Sequence, residues 1–153
     1  MALPEAVLKC YSCEQTALAD PPPRESIVRT NHWRAAHAIG TSLPGWLVVL
    51  PLRHVLAMDE LTEEESTELG PLLRRLTKAL RAATGCEKTY VILLAEAEGF
   101  GHVHFHVIPR MPWFSDDQQG PNVFTFLGQP ETDWVSPDEM DRIAKTLREA
   151  LRD

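Results

Sequence analysis

The stretch Gly-His-Val-His-Phe-His-Val-Ile-Pro-Arg, residues 101–110, decides how the rest of this sequence is interpreted. Its three histidines, His102, His104 and His106, occupy every second position, and apolar residues fill the positions between them. Because side chains alternate between the two faces of a β-strand, this period of two predicts a strand. The imidazoles are expected on one face, about 6.6 Å apart for each step of two residues.

Such an array suits chemistry at phosphorus. A neutral imidazole is a nucleophile near pH 7 and also a proton donor or acceptor. One ring would attack phosphorus while a neighbouring ring donates to the phosphate oxygens or to the leaving group. Arg110 follows the array, where it would either bind phosphate through two hydrogen bonds or be a solvated surface arginine. An array without chemical role, a metal-affinity surface patch and a metalloenzyme centre built from all three rings are the other interpretations.

The composition is that of an ordinary globular chain of one domain, which we predict over residues 1–153: 44% of the residues are apolar and 24% are charged. The net charge of −7 argues against sequence-independent nucleic-acid binding, which needs a basic face. No apolar run approaches the ~20 residues of a membrane span, and the first nine residues lack an export-signal pattern. We therefore expect a cytoplasmic protein without a membrane partner and without sequence-specific nucleic-acid binding.

The pattern around the array predicts an α+β fold with an antiparallel sheet. Short strands are predicted at 26–30, 33–39, 46–50 and 90–95, in addition to the histidine strand. Helices interrupt this series once in the middle of the chain and once at its end. The order of strands, helix, strands and helix is typical of an α+β domain.

Both helices carry start signals. Thr62 and Glu65 form a capping-box pattern before a run in which leucines recur at helical spacing. The C-terminal helix is predicted to start at Ser136 as its cap, with Glu139 closing a second capping box, and to extend to residue 152.

Two stretches resemble the histidine triad (HIT) family. Residues 102–108, His-Val-His-Phe-His-Val-Ile, match the family signature of His-x-His-x-His followed by two apolar residues. Residues 43–55, Leu-Pro-Gly-Trp-Leu-Val-Val-Leu-Pro-Leu-Arg-His-Val, resemble the upstream strand and turn, and the long helix lies between the two. The resemblance covers about 11–110 and is to bacterial-type members with an N-terminal Cys-x-x-Cys. It implies a HIT-like antiparallel sheet, one long central helix, a C-terminal extension with a helix, and a homodimer formed by joining two sheets.

The resemblance also implies a nucleotide hydrolase or nucleotidyl transferase. His104 would attack the α-phosphate of a nucleotide, and the resulting nucleotidyl-histidine would pass its group to water or to another acceptor. His106 would assist orientation and proton transfer. His37, Gly101 and Arg110 are predicted to contact the substrate, which would be a nucleoside phosphoramidate or a dinucleoside polyphosphate. No organic cofactor is expected.

The pair Cys10-Tyr-Ser-Cys13 has metal-chelating spacing, and alone it fits either a metal site or two buried thiols. Family members with such a pair often bind zinc, using also a histidine just after a Pro-x-Arg segment and the first triad histidine. The resemblance therefore implies structural zinc held by Cys10, Cys13, His54 and His102. The third cysteine, Cys86, is predicted to be a core thiol, and an odd number of cysteines does not indicate a disulfide framework.

Two positions depart from the family pattern. Many members have a histidine directly after the Pro-Gly turn, where this chain has Trp46, predicted as either core or pocket lining. The approach to the triad carries Glu98, and a carboxylate beside an anionic substrate is unfavourable. These departures motivate an alternative function: a nucleotide-binding, zinc-stabilised protein of the HIT fold with little or no turnover.

Overall fold

The computed structural model describes residues 9–152, and the segment that was searched for an export signal lies almost wholly outside them. Five strands form one sheet: β1 (Val28–Arg29), β2 (Trp33–His37), β3 (Leu47–Pro51), β4 (Lys88–Leu93) and β5 (Phe105–Arg110). Their order is β1-β2-β3-β5-β4, and every neighbouring pair is antiparallel. The predicted α+β class with an antiparallel sheet is confirmed.

Within residues 9–152, three α-helices accompany the sheet: α1 (Tyr11–Thr16), α2 (Glu63–Thr84) and α3 (Pro137–Leu151). The capping box that begins α2 is confirmed, since Thr62 Oγ1 accepts the Glu65 N–H at 3.1 Å and Glu65 Oε1 accepts the Thr62 N–H at 2.7 Å. None of the helices within residues 9–152 is both long and apolar enough to cross a membrane.

The start of α3 corrects one prediction. Ser136 Oγ accepts the Glu139 N–H at 3.2 Å, as a helix cap should. The Glu139 carboxylate, however, accepts from Arg142 instead of closing the box on the cap residue. An exposed Arg at the i+3 position competes successfully for this carboxylate.

The sheet separates two apolar clusters. Helices α2 and α3 cover one face, where the larger cluster includes Trp33, Leu47, Leu76, Cys86, Phe105, Val107 and Leu147. Burying one such leucine or phenylalanine side chain stabilises the fold by about 1.5–3 kcal/mol. The prediction that Cys86 is a core thiol is confirmed, because its side chain packs in this cluster.

The second face of the sheet is covered by residues 111–136, which the sequence pattern left without predicted elements. This segment contains three 3₁₀ turns, at Asp116–Gln118, Gly120–Leu127 and Glu131–Asp133. Its Phe114, Val123 and Phe126 pack with Trp46 and Ile108 in the smaller apolar cluster. The segment leaves open the part of the face that carries His104 and His106.

The histidine strand begins later than predicted. Hydrogen-bonded pairing of β5 starts at Phe105, so His102 and His104 lie before the strand, with His102 in a bend. Pro51, at the end of β3, has no N–H to donate to a longer ladder. Its carbonyl instead accepts the ring N–H of His102, with Nε2 at 2.9 Å. The prediction of one strand under all three histidines is therefore wrong at its N-terminal end.

Candidate functional site

His104 and His106 form a pair of adjacent rings. Their centroids are 4.9 Å apart and the rings are nearly perpendicular, at 79°. His104 Nδ1 lies 2.8 Å from the carbonyl oxygen of His102. Because a carbonyl only accepts, the proton of the neutral His104 ring is on Nδ1, and Nε2 keeps a free lone pair. This is the form of imidazole that can act as a nucleophile.

His106 has the opposite arrangement of its nitrogens. The indole Nε1–H of Trp46 donates to His106 Nδ1 at 3.0 Å. Since indole is a donor only, Nδ1 is the acceptor and the proton of the neutral ring is on Nε2. Burial, and secondly the neighbouring charge of His104, lowers the pKa of His106 to about 4. The ring is therefore neutral at pH 7 and can donate a hydrogen bond through Nε2.

Both rings line a cavity of about 310 Å³, a size typical of small-molecule sites. Most of its wall is apolar, which suits an aromatic group such as a nucleobase. The lining residues are Tyr11, Ser12, Glu25, Arg34, Ala36, His37, Ala38, Ile39, Val48, Leu50, Leu94, Ala95, Glu96, Ala97, Phe100, His104, His106, Phe124 and Leu127.

A buried ion pair forms part of this wall. Arg34 is 2% exposed and Glu25 is 5% exposed, and Arg34 NH1 lies 3.3 Å from Glu25 Oε1. Arg34 also donates to Thr16 Oγ1 at 2.8 Å and to the Ser12 carbonyl at 3.1 Å, while Tyr11 donates to Glu25 Oε2 at 3.1 Å. Burial raises the pKa of Glu25 and the Arg34 charge opposes that rise. The pair thus ties helix α1 to strand β2 beside the cavity.

Sequence reasoning missed this pair, although a signal was present. Arg34 is a charged residue inside the otherwise apolar run Trp-Arg-Ala-Ala at 33–36, all of which is buried. A charge in a strand that is buried along its whole length needs a partner. No feature of the sequence pointed to Glu25 as that partner.

A second cluster lies behind the histidine pair and contains Cys10, Cys13, His54 and His102. Their four candidate ligand atoms all lie within 4.8 Å of one another. Cys13 Sγ is 3.3 Å from His54 Nδ1 and 3.5 Å from His102 Nδ1, and Cys10 Sγ is 3.6 Å from His102 Nδ1. The sulfur–nitrogen edge of a tetrahedral zinc site is about 3.6 Å, from bond lengths of about 2.3 and 2.0–2.1 Å.

The donor chemistry of the cluster also fits a metal. The Pro51 carbonyl accepts the Nε2–H of His102, so the Nδ1 lone pair is directed at the two thiols, as in a metal-ligating histidine. Without a metal, burial together with the Cys10 side chain raises the pKa of Cys13 to about 12. A bound cation would favour the thiolate instead. The four residues could therefore hold a metal ion.

The family comparison agrees with this geometry. A family model described as the HIT domain matches residues 22–112, more than half of the chain. The chain belongs to the HIT domain family. The resemblance to a bacterial-type HIT protein with a Cys-x-x-Cys pair is thereby confirmed, and with it the HIT-like fold.

Similar HIT proteins come from fungi and bacteria. The chain is 25% identical over 118 residues to an adenosine 5'-monophosphoramidase of Schizosaccharomyces pombe, covering 74% of this chain and 78% of the relative. It is 27% identical over 132 residues to an adenosine 5'-monophosphoramidase of Saccharomyces cerevisiae, covering 82% and 73%. The solved structure of a zinc-bound histidine triad family protein from Mycobacterium smegmatis superposes with a TM-score of 0.68 at 18% identity, covering 95% of each chain.

Of the three residues predicted to contact substrate in this HIT protein, one lines the cavity and two do not. His37 lines the cavity, but its Nδ1 donates to the Ala38 carbonyl at 2.8 Å and its Nε2 accepts the Gly45 N–H at 3.0 Å. Both nitrogens are thus engaged within the protein, and His37 could contact a ligand only through its ring surface.

Gly101 and Arg110 are not among the residues that line the cavity. Arg110 lies two positions beyond Ile108 on the strand, and its guanidinium pairs with Glu87 at 3.3 Å. Its buried Nε has no hydrogen-bond partner within residues 9–152. The structure therefore does not bring Arg110 to the histidine pair, and the substrate contacts of Gly101 and Arg110 stay predictions.

The acidic approach to the triad contains two glutamates, of which Glu96 lines the cavity and Glu98 does not. Glu98 therefore lies outside the cavity, which is one of the two explanations that the sequence left open. Ala95, in the same stretch, has a positive φ of 54°.

Proposed function

We propose that this protein is a hydrolase or nucleotidyl transferase that acts at the α-phosphate of a nucleotide. The observation that carries the proposal is the hydrogen bond from His104 Nδ1–H to the His102 carbonyl. It leaves the Nε2 lone pair free on a ring that lines a largely apolar cavity. Phosphoryl transfer depends mainly on such positioning and on charge stabilisation.

In the proposed reaction, His104 Nε2 forms a bond to phosphorus while the bond from phosphorus to the leaving group breaks. The Nε2–H of His106 donates a hydrogen bond to a phosphate oxygen and stabilises its charge. A water molecule gives a proton to the leaving nitrogen or oxygen, and the resulting hydroxide attacks the nucleotidyl-histidine as the phosphorus–nitrogen bond to His104 breaks. The products are a nucleoside monophosphate, the protonated leaving group and the original enzyme. Another acceptor in place of water would make the same reaction a transfer.

Nucleoside phosphoramidates are the substrate class we propose first. The two fungal relatives are named as adenosine 5'-monophosphoramidases. An amine leaving group can take its proton from water, and the Nε2–H of His106 can donate a hydrogen bond that stabilises the charge on the phosphate oxygens. The Glu96 carboxylate in the cavity wall disfavours long polyphosphate leaving groups, so dinucleoside polyphosphates come second.

We further propose that the metal of this protein is Zn²⁺, held by Cys10, Cys13, His54 and His102. Two thiolates and two imidazoles are a preferred structural zinc set, which leaves no open position for substrate. The ion would stabilise the fold and take no part in the reaction. Thiolate ligands also need a reducing compartment, which supports the expected cytoplasmic location.

A homodimer formed by strand β4 remains our proposal for the assembly. Within the described sheet, β4 is an edge strand that pairs only with β5. Its Val91 is 44% exposed, and an exposed apolar edge favours pairing with a second copy. We also propose that residues 1–153 form a single domain.

Trapping the intermediate tests the function. The protein is mixed with adenosine 5'-phosphoramidate, denatured within seconds at neutral pH, and analysed by intact mass spectrometry. We expect an added adenylyl group on the wild-type chain and none on His104→Ala, with turnover to AMP lost in the same variant. Saturable binding with neither adduct nor AMP would favour the alternative, a nucleotide-binding protein without turnover. Turnover that survives in His104→Ala would overturn the assignment of the nucleophile.

A further inference from the structure

The residue that replaces the family's usual histidine contacts His106, the second histidine of the proposed active site. Trp46 follows the turn before β3, and its side chain is fully buried. Its indole N–H donates to His106 Nδ1 at 3.0 Å, and the two rings meet edge to face with centroids 5.5 Å apart. Trp46 therefore reaches the active pair with its one polar atom.

The position of Trp46 is determined by the turn that precedes it. Gly45 has a φ of +88°, and a Cβ there would meet Thr84 and Pro109 at 3.3 and 3.4 Å. The Gly45 N–H donates to His37 Nε2, and the Trp46 carbonyl accepts the Ala38 N–H at 2.8 Å. Backbone and side-chain bonds thus hold the turn on both sides of the indole.

The His106 ring is enclosed by aromatic neighbours. Phe124 packs edge to face on His106 and also on Trp46, with centroids 5.7 Å apart in each case. His104 covers another side of the ring. Among these neighbours the indole N–H is the hydrogen-bond partner of His106 Nδ1. Loss of the indole would leave that nitrogen unpaired, and a buried acceptor without a partner costs about 1–3 kcal/mol.

From these contacts we infer that Trp46 is a positioning residue that holds His106 in the Nε2–H tautomer. An imidazole whose Nδ1 accepts from a fixed donor can donate a hydrogen bond only through Nε2. The indole carries no charge, and it keeps its N–H proton near neutral pH. This inference rests on the proposed function for its catalytic consequence, but the tautomer itself can be measured without substrate.

The first test uses the wild-type protein labelled with ¹⁵N. Across an N–H···N hydrogen bond, the two nitrogens share a scalar coupling that NMR can detect. We expect this coupling between Trp46 Nε1 and His106 Nδ1, together with ring ¹⁵N shifts of a single Nε2–H tautomer. A His106 spectrum with the proton on Nδ1, or with no coupling to the indole, overturns the inference.

The second test removes the donor in Trp46→Phe. The matched control is Trp33→Phe, because Trp33 is also fully buried and its indole also donates one hydrogen bond, to the Glu65 carbonyl at 2.9 Å. We expect mixed His106 tautomers only in Trp46→Phe. In that variant kcat should fall roughly ten- to a hundredfold, less than the roughly 10²- to 10³-fold lost when a hydrogen-bond donor to the transition state is removed outright.

The pattern of results separates a positioning role from a structural one. If Trp46 only positions His106, Trp46→Phe lowers kcat and changes KM by less than about twofold. If the substitution instead disorders the cavity and weakens substrate binding, KM rises. Equal effects in Trp46→Phe and Trp33→Phe on kcat, with the His106 tautomer unchanged, overturn the inference. If the coupling is present and no nucleotide is turned over, the proposed function fails while the tautomer assignment stands. If Trp46→Phe does not fold, the wild-type coupling alone decides.

Discussion

His102 and His104 are two residues apart and use opposite ring nitrogens. His102 donates through Nε2 to the Pro51 carbonyl and directs Nδ1 at the thiols of Cys10 and Cys13. His104 donates through Nδ1 to a backbone carbonyl and keeps Nε2 free at the cavity. The backbone carbonyl that each ring meets thus selects which nitrogen remains for metal or for substrate.

The comparison teaches that a short run of one residue type can serve two sites. The cysteine–histidine cluster is expected to determine stability, and the histidine pair is expected to determine chemistry. The following predictions test this division, in decreasing order of their expected effect on the free energy of unfolding.

Loss of the metal should have the largest effect on stability. In Cys13→Ala, native mass spectrometry should find no zinc, where the wild type holds one ion per chain. If free zinc exceeds its Kd a thousandfold, binding contributes about 4 kcal/mol. The unfolding midpoint should then fall by roughly 8–16 °C.

The control for the metal variant is Cys86→Ala, which removes a buried thiol outside the cluster. It should keep its zinc and lose only about 1 kcal/mol from the small change in packing. A wild-type protein that folds without metal and melts at the same temperature with and without a chelator would contradict the structural role.

Breaking the buried ion pair should lower the free energy of unfolding by a similar amount. Arg34→Met leaves the Glu25 carboxylate buried without its cation, which typically costs about 3–5 kcal/mol. Replacing both residues, Arg34→Met with Glu25→Met, should recover most of that loss. Urea unfolding of the two single variants and the double variant gives the coupling energy, and strict additivity would show that the two side chains do not act as a pair.

The free energy of unfolding should depend on pH because the folded chain keeps the partly buried His106 ring neutral. Its pKa is about 4 in the folded chain and about 6.5 in the unfolded chain, so the unfolded chain binds the extra proton between these values. The contribution of neutral His106 to the free energy of unfolding is therefore fully present above about pH 6.5. It is lost as the pH drops towards 4, by at most about 3 kcal/mol.

His106→Gln tests the assignment of that pH dependence. Gln cannot titrate, and its amide oxygen can still accept from the Trp46 indole. Unfolding measured from pH 4 to 7 should show a shallower slope in the variant than in the wild type. Parallel curves would mean that another group causes the loss of stability in acid.

The smallest change in stability is expected for the nucleophile. His104→Asn should alter the free energy of unfolding by less than about 1 kcal/mol, because the half-buried ring makes one hydrogen bond, and Asn can still donate one. Turnover should nevertheless fall at least about 10⁴-fold. A large loss of stability would show that chemistry and folding are not separable along this segment.

Much of this arrangement could be predicted from the sequence. The alternation at 102–108 predicted that His104 and His106 lie side by side, although it also grouped His102 with them, and the capping box at Thr62 marked the start of α2 correctly. The grouping of Cys10, Cys13, His54 and His102 came from family resemblance, since nothing local connects residues that are up to 92 positions apart.

The rest depends on tertiary contacts that leave no local pattern. The covering segment 111–136 is built from 3₁₀ turns, which are too short to show a hydrophobic period. The start of β5 at Phe105 depends on Pro51, a residue of a different strand. Trp46 is a core residue, since it is fully buried and is not among the residues that line the cavity, although its single polar atom contacts His106.

The positive φ of Ala95 has a consequence for the motion of the cavity. A left-handed conformation at a residue with a Cβ costs roughly 1–2 kcal/mol relative to the right-handed one. Leu94 and Glu96 on either side of Ala95 are exposed, so few contacts offset that cost. The backbone of this rim is therefore slightly strained, and we expect it to be the part of the cavity wall that moves most readily when a nucleotide enters or leaves.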